Sequence, residues 1–257
     1  MNDSTLRLRV RPRTAAWVLA AIIGCLLAAH LVGQVAKHWL GRDNLLGFVP
    51  LFDMDAERSI PTWFSSFELL FAAGLLLFIA WLQRSTGRRF WVHWAGLGAL
   101  FAFMSLDEMV SIHERWLPVR VGGLAVPPTL PLAVVLFFVF VPFVLHLPRR
   151  TALLFVIAGM VFVGGAAGME MVEASYVRAA GGDNLGHSLS VAVEETMEMS
   201  GLALFIFALL GYLGAQFGAV QLRFGPEGAP ADATGSPAPN PDETAPAQSV
   251  TAGESGH

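Results

Sequence analysis

Nine carboxylates lie in or beside the long apolar stretches of this sequence: Glu68, Asp107, Glu108, Glu114, Glu170, Glu173, Glu194, Glu195 and Glu198. Anions in such places must bind cations, share protons or meet water. His113 and His187 fall among them and offer imidazole. Several Glu and Asp with one or two His on facing helices form the donor inventory of a two-metal carboxylate site in a helix bundle. Two divalent cations need roughly four carboxylates for neutrality, and imidazole favours Fe, Mn or Zn over Mg or Ca. The residue types therefore predict a metal set of Glu68, Asp107, Glu108, His113, Glu114, Glu170, Glu173, His187, Glu194, Glu195 and Glu198. One or two transition-metal ions held there would serve redox or hydrolytic chemistry. The Glu-x-x-His pair of di-iron bundles is absent, and Glu170-x-x-Glu173 and Glu195-x-x-Glu198 stand instead.

Helical spacing, about 100° per residue, sorts these groups by face. Glu194, Glu198 and His187 make one stripe, with Glu195 to its side. Asp107, Ser111 and Glu114 lie within about 60° of one another, while Glu108 and His113 point elsewhere. Glu170 and Glu173 are one turn apart.

The elements that must position these groups follow from composition. The chain is 54% hydrophobic and 14% charged, against about 25% charged for soluble domains, so an ordinary soluble enzyme is disfavoured. Crossing the hydrocarbon core takes about 20 apolar residues, and six stretches reach that length: 15–36, 62–82, 91–112, 129–147, 151–172 and 191–213. The expected fold is all-α, a polytopic transmembrane bundle of about six spans. A cytoplasmic N-terminus puts ten Lys/Arg inside and six outside, so the topology reads N-in, C-in and the location a bacterial inner membrane. All nine acids then fall at the outer level, Glu68 about 9 Å below Thr62.

Residues 1–14 read as a basic cytoplasmic N-terminus, 15–220 as the six-helix domain and 225–257 as a tail. The tail holds five acids, six prolines and no aromatic residue, the composition of a disordered segment. Without it the chain carries +1, too little for a nucleic-acid stripe. The partners expected are the lipid bilayer and, as an open option, a protein or a second copy. The single Cys25 excludes an intrachain disulfide. Ile22-Ile23-Gly24-Cys25 is similar to a lipoprotein cleavage box, yet apolar sequence continues past it, so cleavage is not expected.

Local signals add detail. Trp17, Trp81, Trp91 and Trp94 fall at inner span ends and Trp39, Trp63 and Trp116 at outer ones, as interfacial indoles do. Ser59 reads as a helix cap with Pro61 in the first turn, and the loop 115–128 as lying on the bilayer surface. The Gly164/Gly168 spacing suits close helix approach. The fourth stretch is uncharged and suits a lipid-facing helix. His30 and His93 read as hydrogen-bonded packing residues rather than ligands, and the methionines near the acids as gap fillers.

Three stretches carry a resemblance: Pro61-Thr62-Trp63-Phe64-Ser65-Ser66, the run from Ser105 to Glu114, and Glu194-Glu195-Thr196-Met197-Glu198-Met199. In these the core is similar to a group of uncharacterised bacterial multi-pass inner-membrane proteins, which implies a fold and no activity. The Ser, Asp and His residues also resemble those of alkaline-ceramidase-type hydrolases, but no His-x-x-x-His pair is present. Two rivals to the metal reading stand. One is a proton- or cation-coupled transporter with a carboxylate relay, which needs polar groups reaching the other face, where the inner halves are apolar. The other is a non-catalytic membrane subunit whose acids mark wet helix ends.

Overall fold

Each of the six apolar stretches folds as a helix in the computed structural model. It describes residues 5–8, 11–111, 119–121, 124–126, 129–169, 172, 176–178, 184–218 and 220–223. The helices are α1 (Pro12–Leu40), α3 (Ile60–Ser85), α4 (Trp91–Val110), α5 (Thr129–Leu145), α6 (Arg149–Val163) and α7 (Leu185–Phe217), with a single turn α2 (Phe48–Leu51) after α1. A π-helical segment, Gly164–Met169, continues α6. Four of these, α1, α3, α6 with its π segment, and α7, are long and apolar enough to cross a membrane. α4 carries His93, Asp107 and Glu108 within its 20 residues, and α5 has 17, so neither reaches that combination of length and apolarity.

Short strands supplement the helices. β2 (Val119–Val121) pairs antiparallel with β3 (Leu124–Val126), Arg120 opposite Ala125, within the loop expected to lie on the bilayer surface. The chain divides into residues 7–220, which hold every helix named above, and residues 1–6 with 221–257. At the chain's two ends β1 (Thr5–Leu8) and β4 (Val220–Arg223) form a two-stranded sheet. The tail expected to be disordered, 225–257, lies outside the described residues.

Side-chain contacts fix the helix directions. Ser66 meets Ser105, and a Cβ on Gly98 would meet Leu77, so α3 and α4 run antiparallel. Phe155 packs against Phe205 with ring centroids 4.5 Å apart and Gly165 abuts Glu194, so α6 and α7 are antiparallel. His30 contacts Ser188, while Gln83 contacts Tyr212. Together with the Phe64 and Val191 cluster, the last contact makes α3 and α7 parallel. The most buried helices are α7 and α3, with 56% and 50% of their apolar stretches covered, against 17% for α1. They form the centre, and α1, α4 and α6 pack around them. Val135, Phe137 and Phe138 of α5 are exposed, as expected of a helix that meets lipid.

Two glycine expectations change. A Cβ on Gly165 would come within 2.9 Å of Glu194 O, and one on Gly164 within 3.3 Å of Met197 Cε, whereas Gly168 has open space. The wider π turn rotates Gly168 off the stripe that a regular helix would give it. The second close approach, Gly201 of α7, lies on the partner helix, where a Cβ would sit 2.8 Å from Phe162 N. Trp94 also departs from expectation: it is 1% exposed, packed on Phe143 and Tyr212 with centroids 4.9 Å from each. It is a core residue, whereas Trp17, Trp39, Trp63 and Trp81 remain exposed. Trp116 lies outside the described residues.

Gly201→Val should push α6 off α7 and destabilise the chain by about 1–3 kcal/mol, read as a lower melting temperature in detergent. Gly214→Ala, at an open position, should melt like the parent.

Candidate functional site

The contacts above place the described acids at one end of the bundle, here the acidic end. The start of α3, the end of α4 and the start of α7 meet there. Ser59 caps α3, its Oγ accepting from Thr62 N–H at 3.3 Å, with Pro61 in the first turn as expected. Asn184 caps α7 by accepting from His187 N–H at 2.9 Å.

His30 ties α1 to this end. Its Nδ1 accepts from Met54 N–H at 3.1 Å, and its Nε2 lies 3.3 Å from Ser188 O. A backbone N–H can only donate, so Nδ1 carries no proton in this arrangement and Nε2–H donates to the carbonyl. Asp53 Oδ1, 3.5 Å from Nδ1, therefore meets a neutral ring. It also accepts from Gln34 Nε2 at 3.5 Å and Asp55 N–H at 3.3 Å. His30 is thus the hydrogen-bonded packing residue expected. The loop after α1 lies at the surface as expected and also folds back on α1, with Val49 and Met54 buried and Val49 against Gly33.

Sequence reasoning missed the lock between α3 and α4. Ser66 Oγ donates to Ser105 O and Ser105 Oγ to Ser66 O, both at 2.8 Å. Each hydroxyl satisfies the other helix's backbone, which holds the two backbones close. The available signal was a serine deep in each of two neighbouring apolar stretches.

Glu68 is 1% exposed, and neither carboxylate oxygen has a hydrogen-bond partner among the described residues. Around α3 it lies about 20° from Ile79, 40° from Phe64 and 60° from Gln83, the face turned to α7. Ser66 and Leu77, which face α4, lie on the opposite side. In α4, Glu108 falls about 20° from Phe101, whose ring stacks on Phe205 of α7 at 5.0 Å. Glu198 falls about 20° from Phe205 in turn. Carrying that antiparallel pair two turns toward the acidic end brings Glu108 level with Glu198. The parallel Gln83 and Tyr212 offset brings Glu68 level with residue 197. By level and helix face, Glu68, Glu108 and Glu198 thus reach the same end of the bundle, with Glu198 Cγ set against Gly165 of the π segment. Asp107 points elsewhere, about 160° from Ser105 and away from α3. α4 ends at Val110 and Ser111 turns left-handed at φ 53°, and Glu114 of the expected Asp107, Ser111 and Glu114 face lies outside the described residues.

Glu194, Glu195 and Glu198 are half-buried in α7, and His187 in its first turn completes the stripe with Glu194 and Glu198. Glu194 and Glu198 abut Gly165 of the π segment. Among the described residues, no three His, Cys, Asp or Glu side chains gather closely enough to hold a metal ion. The expected ligands His113, Glu114, Glu170 and Glu173 lie outside the described residues.

Fold and site define a helical bundle with apolar helices suited to a lipid bilayer and carboxylates at one end. A family model described as a domain of unknown function (DUF8692) matches residues 18–213, from within α1 to near the end of α7, and the chain belongs to that family. No curated protein and no solved structure matches it.

His30→Phe should leave Met54 N–H without its partner, at a cost of about 1–3 kcal/mol, and remove the second hydrogen bond to Ser188 O, a carbonyl inside α7. Proteolysis in the 41–59 loop should quicken alongside a lower melting temperature. Unchanged cleavage would mean that the loop is held by other contacts.

Proposed function

We propose that the chain is a six-span, N-in/C-in protein of the bacterial inner membrane whose outer, acidic end takes up cations through carboxylates centred on Glu68. The observation that carries this reading is Glu68 itself, buried and without a hydrogen-bond partner among the described residues. A wet helix end would expose such a group. A buried carboxylate with no polar partner is tenable only with a proton or a cation. Glu108, Glu195 and Glu198 are the nearest candidates by helix face to share that role. The similarity to bacterial multi-pass inner-membrane proteins in the three stretches quoted above fits the same placement.

One or two divalent ions of Fe, Mn or Zn are the cations this donor chemistry favours. The described donors do not by themselves assemble a metal group, so the metal reading also calls on His113, Glu114, Glu170 and Glu173. His187, on the stripe of Glu194 and Glu198, would contribute imidazole, and a metal so held would supply Lewis-acid or redox chemistry. Asp107, turned away from α3, drops from the ligand set.

A carboxylate relay crossing the bilayer is the weaker reading. The seam from Glu68 toward the other end is formed by Ala72, Leu76 and Ile79 of α3 and by Leu202, Ile206 and Leu209 of α7, each at most 2% exposed. It offers no proton acceptor until Gln83 and Tyr212.

Titrating Mn2+ or Zn2+ into the detergent-solubilised chain should raise its melting temperature, since a ligand at 100 times its Kd stabilises by about 2.7 kcal/mol. Glu68→Gln should abolish that rise while leaving the cation-free chain at least as stable. Equal shifts in both chains, or none in either, would refute the role of Glu68. For the topology, reporters fused after Arg150 and Arg223 should read cytoplasmic, and those near Arg42 and Gly182 periplasmic.

A further inference from the structure

We propose that a cleft of about 440 Å3 at the other, basic end of the bundle binds a phosphate-bearing anion. The cleft opens where the α3–α4 turn, the start of α6 and the last turns of α7 meet, and the cation reading makes no use of it. Arg88 and Arg89 line it, and no Asp or Glu does. Arg88 donates from Nη1 to Gln216 Oε1 at 3.2 Å and lies 5.2 Å from the ring centroid of Phe217. Both partners are neutral, so they orient the guanidinium without cancelling its charge. Arg89, exposed like Arg88, lines the same cleft. Two adjacent guanidinium groups match the oxygens of a phosphate better than ammonium groups would, because each presents a planar fork of donors.

The deeper wall supplies further donors. Tyr212 Oη accepts from Gln83 Nε2 at 2.7 Å, which leaves the tyrosine's own proton free to donate. Both side chains are more than nine-tenths buried. Phe90 and Pro148, the residues that precede α4 and α6, also line the cleft, and neither helix has a side-chain cap. The first-turn N–H groups of two helices thus remain uncapped beside the arginines, a second source of positive potential for an anion. Below them Trp94 and Phe143, each 1% exposed, form an aromatic floor.

A phosphate could come from a lipid headgroup or from solution. The lipid source rests on the membrane reading above, whereas the free anion does not. The experiment uses the full chain in detergent with two probes: inorganic phosphate by calorimetric titration, and phosphatidylglycerol against phosphatidylcholine by native mass spectrometry. Phosphate binding that weakens at least tenfold in the double variant Arg88→Gln, Arg89→Gln supports the site with a free anion as its ligand. Retention of phosphatidylglycerol over phosphatidylcholine, with the same arginine dependence, supports the site with a lipid as its ligand. Arg89→Gln alone, at an exposed position, should weaken binding without disturbing the fold, and Arg150→Gln, outside the cleft, should change nothing. The proposal is overturned if neither probe binds the wild-type chain, or if binding survives in Arg89→Gln and in the double variant.

Discussion

The rotation of α7 about its own axis decides what the rest of the bundle can do. In lipid, helices gain little from hydrophobic burial against one another, so their association depends on close backbone approach and on hydrogen bonds between them. Gly201 against Phe162 and Gly165 against Glu194 bring α7 onto α6 and its π segment. With that face fixed, Phe205 lies between Phe155, whose ring is tilted to it, and Phe101, whose ring stacks on it. The same rotation sets Glu198 against Gly165 of the π segment. A bulkier residue at either glycine would move the carboxylates as well as the packing.

The two ends of the bundle differ in what they can hold. At the acidic end the polar groups of His30, Ser66 and Ser105 are satisfied by backbone partners from other helices and from the loop before α3. Glu68 is then the buried carboxylate that finds no hydrogen-bond partner among the described residues, where Gln34 Oε1, His38 Nε2 and Thr196 Oγ1 also lack one. At the basic end the polarity is reversed, with arginines around an aromatic floor and neutral hydrogen-bond partners beside them. Between the ends, α3 and α7 meet through Ala, Leu and Ile. Such a seam insulates one end from the other, which suits two separate binding functions better than a conducting path.

The six helices were legible because apolar length is a strong signal, and the cap at Ser59 because serine before proline satisfies a helix start in a single way. Faces were read only as well as helix continuity allowed. The stripe of His187, Glu194 and Glu198 held because α7 starts at Leu185 and runs unbroken. Past Val110, where α4 stops and Ser111 turns left-handed, helical spacing no longer relates Ser111 to Asp107. Gly168 lost its expected role to a π turn that composition does not announce. Trp94 was placed with the interfacial indoles because position along a span says nothing of which neighbour covers a residue. The serine lock and the Arg88 cleft depend on residues far apart in sequence, 39 positions for the serines and 128 for Arg88 and Gln216. No local pattern could have paired them.

Elemental analysis of the purified full chain tests the account most directly, with wild type beside Glu68→Gln and tail variant Glu227→Gln as control. The account predicts at least one Fe, Mn or Zn ion per chain in wild type and in the tail variant, and its loss in Glu68→Gln with the fold retained. A wild-type chain purified without chelator that carries no such ion, or a Glu68→Gln chain that carries as much as wild type, would contradict it.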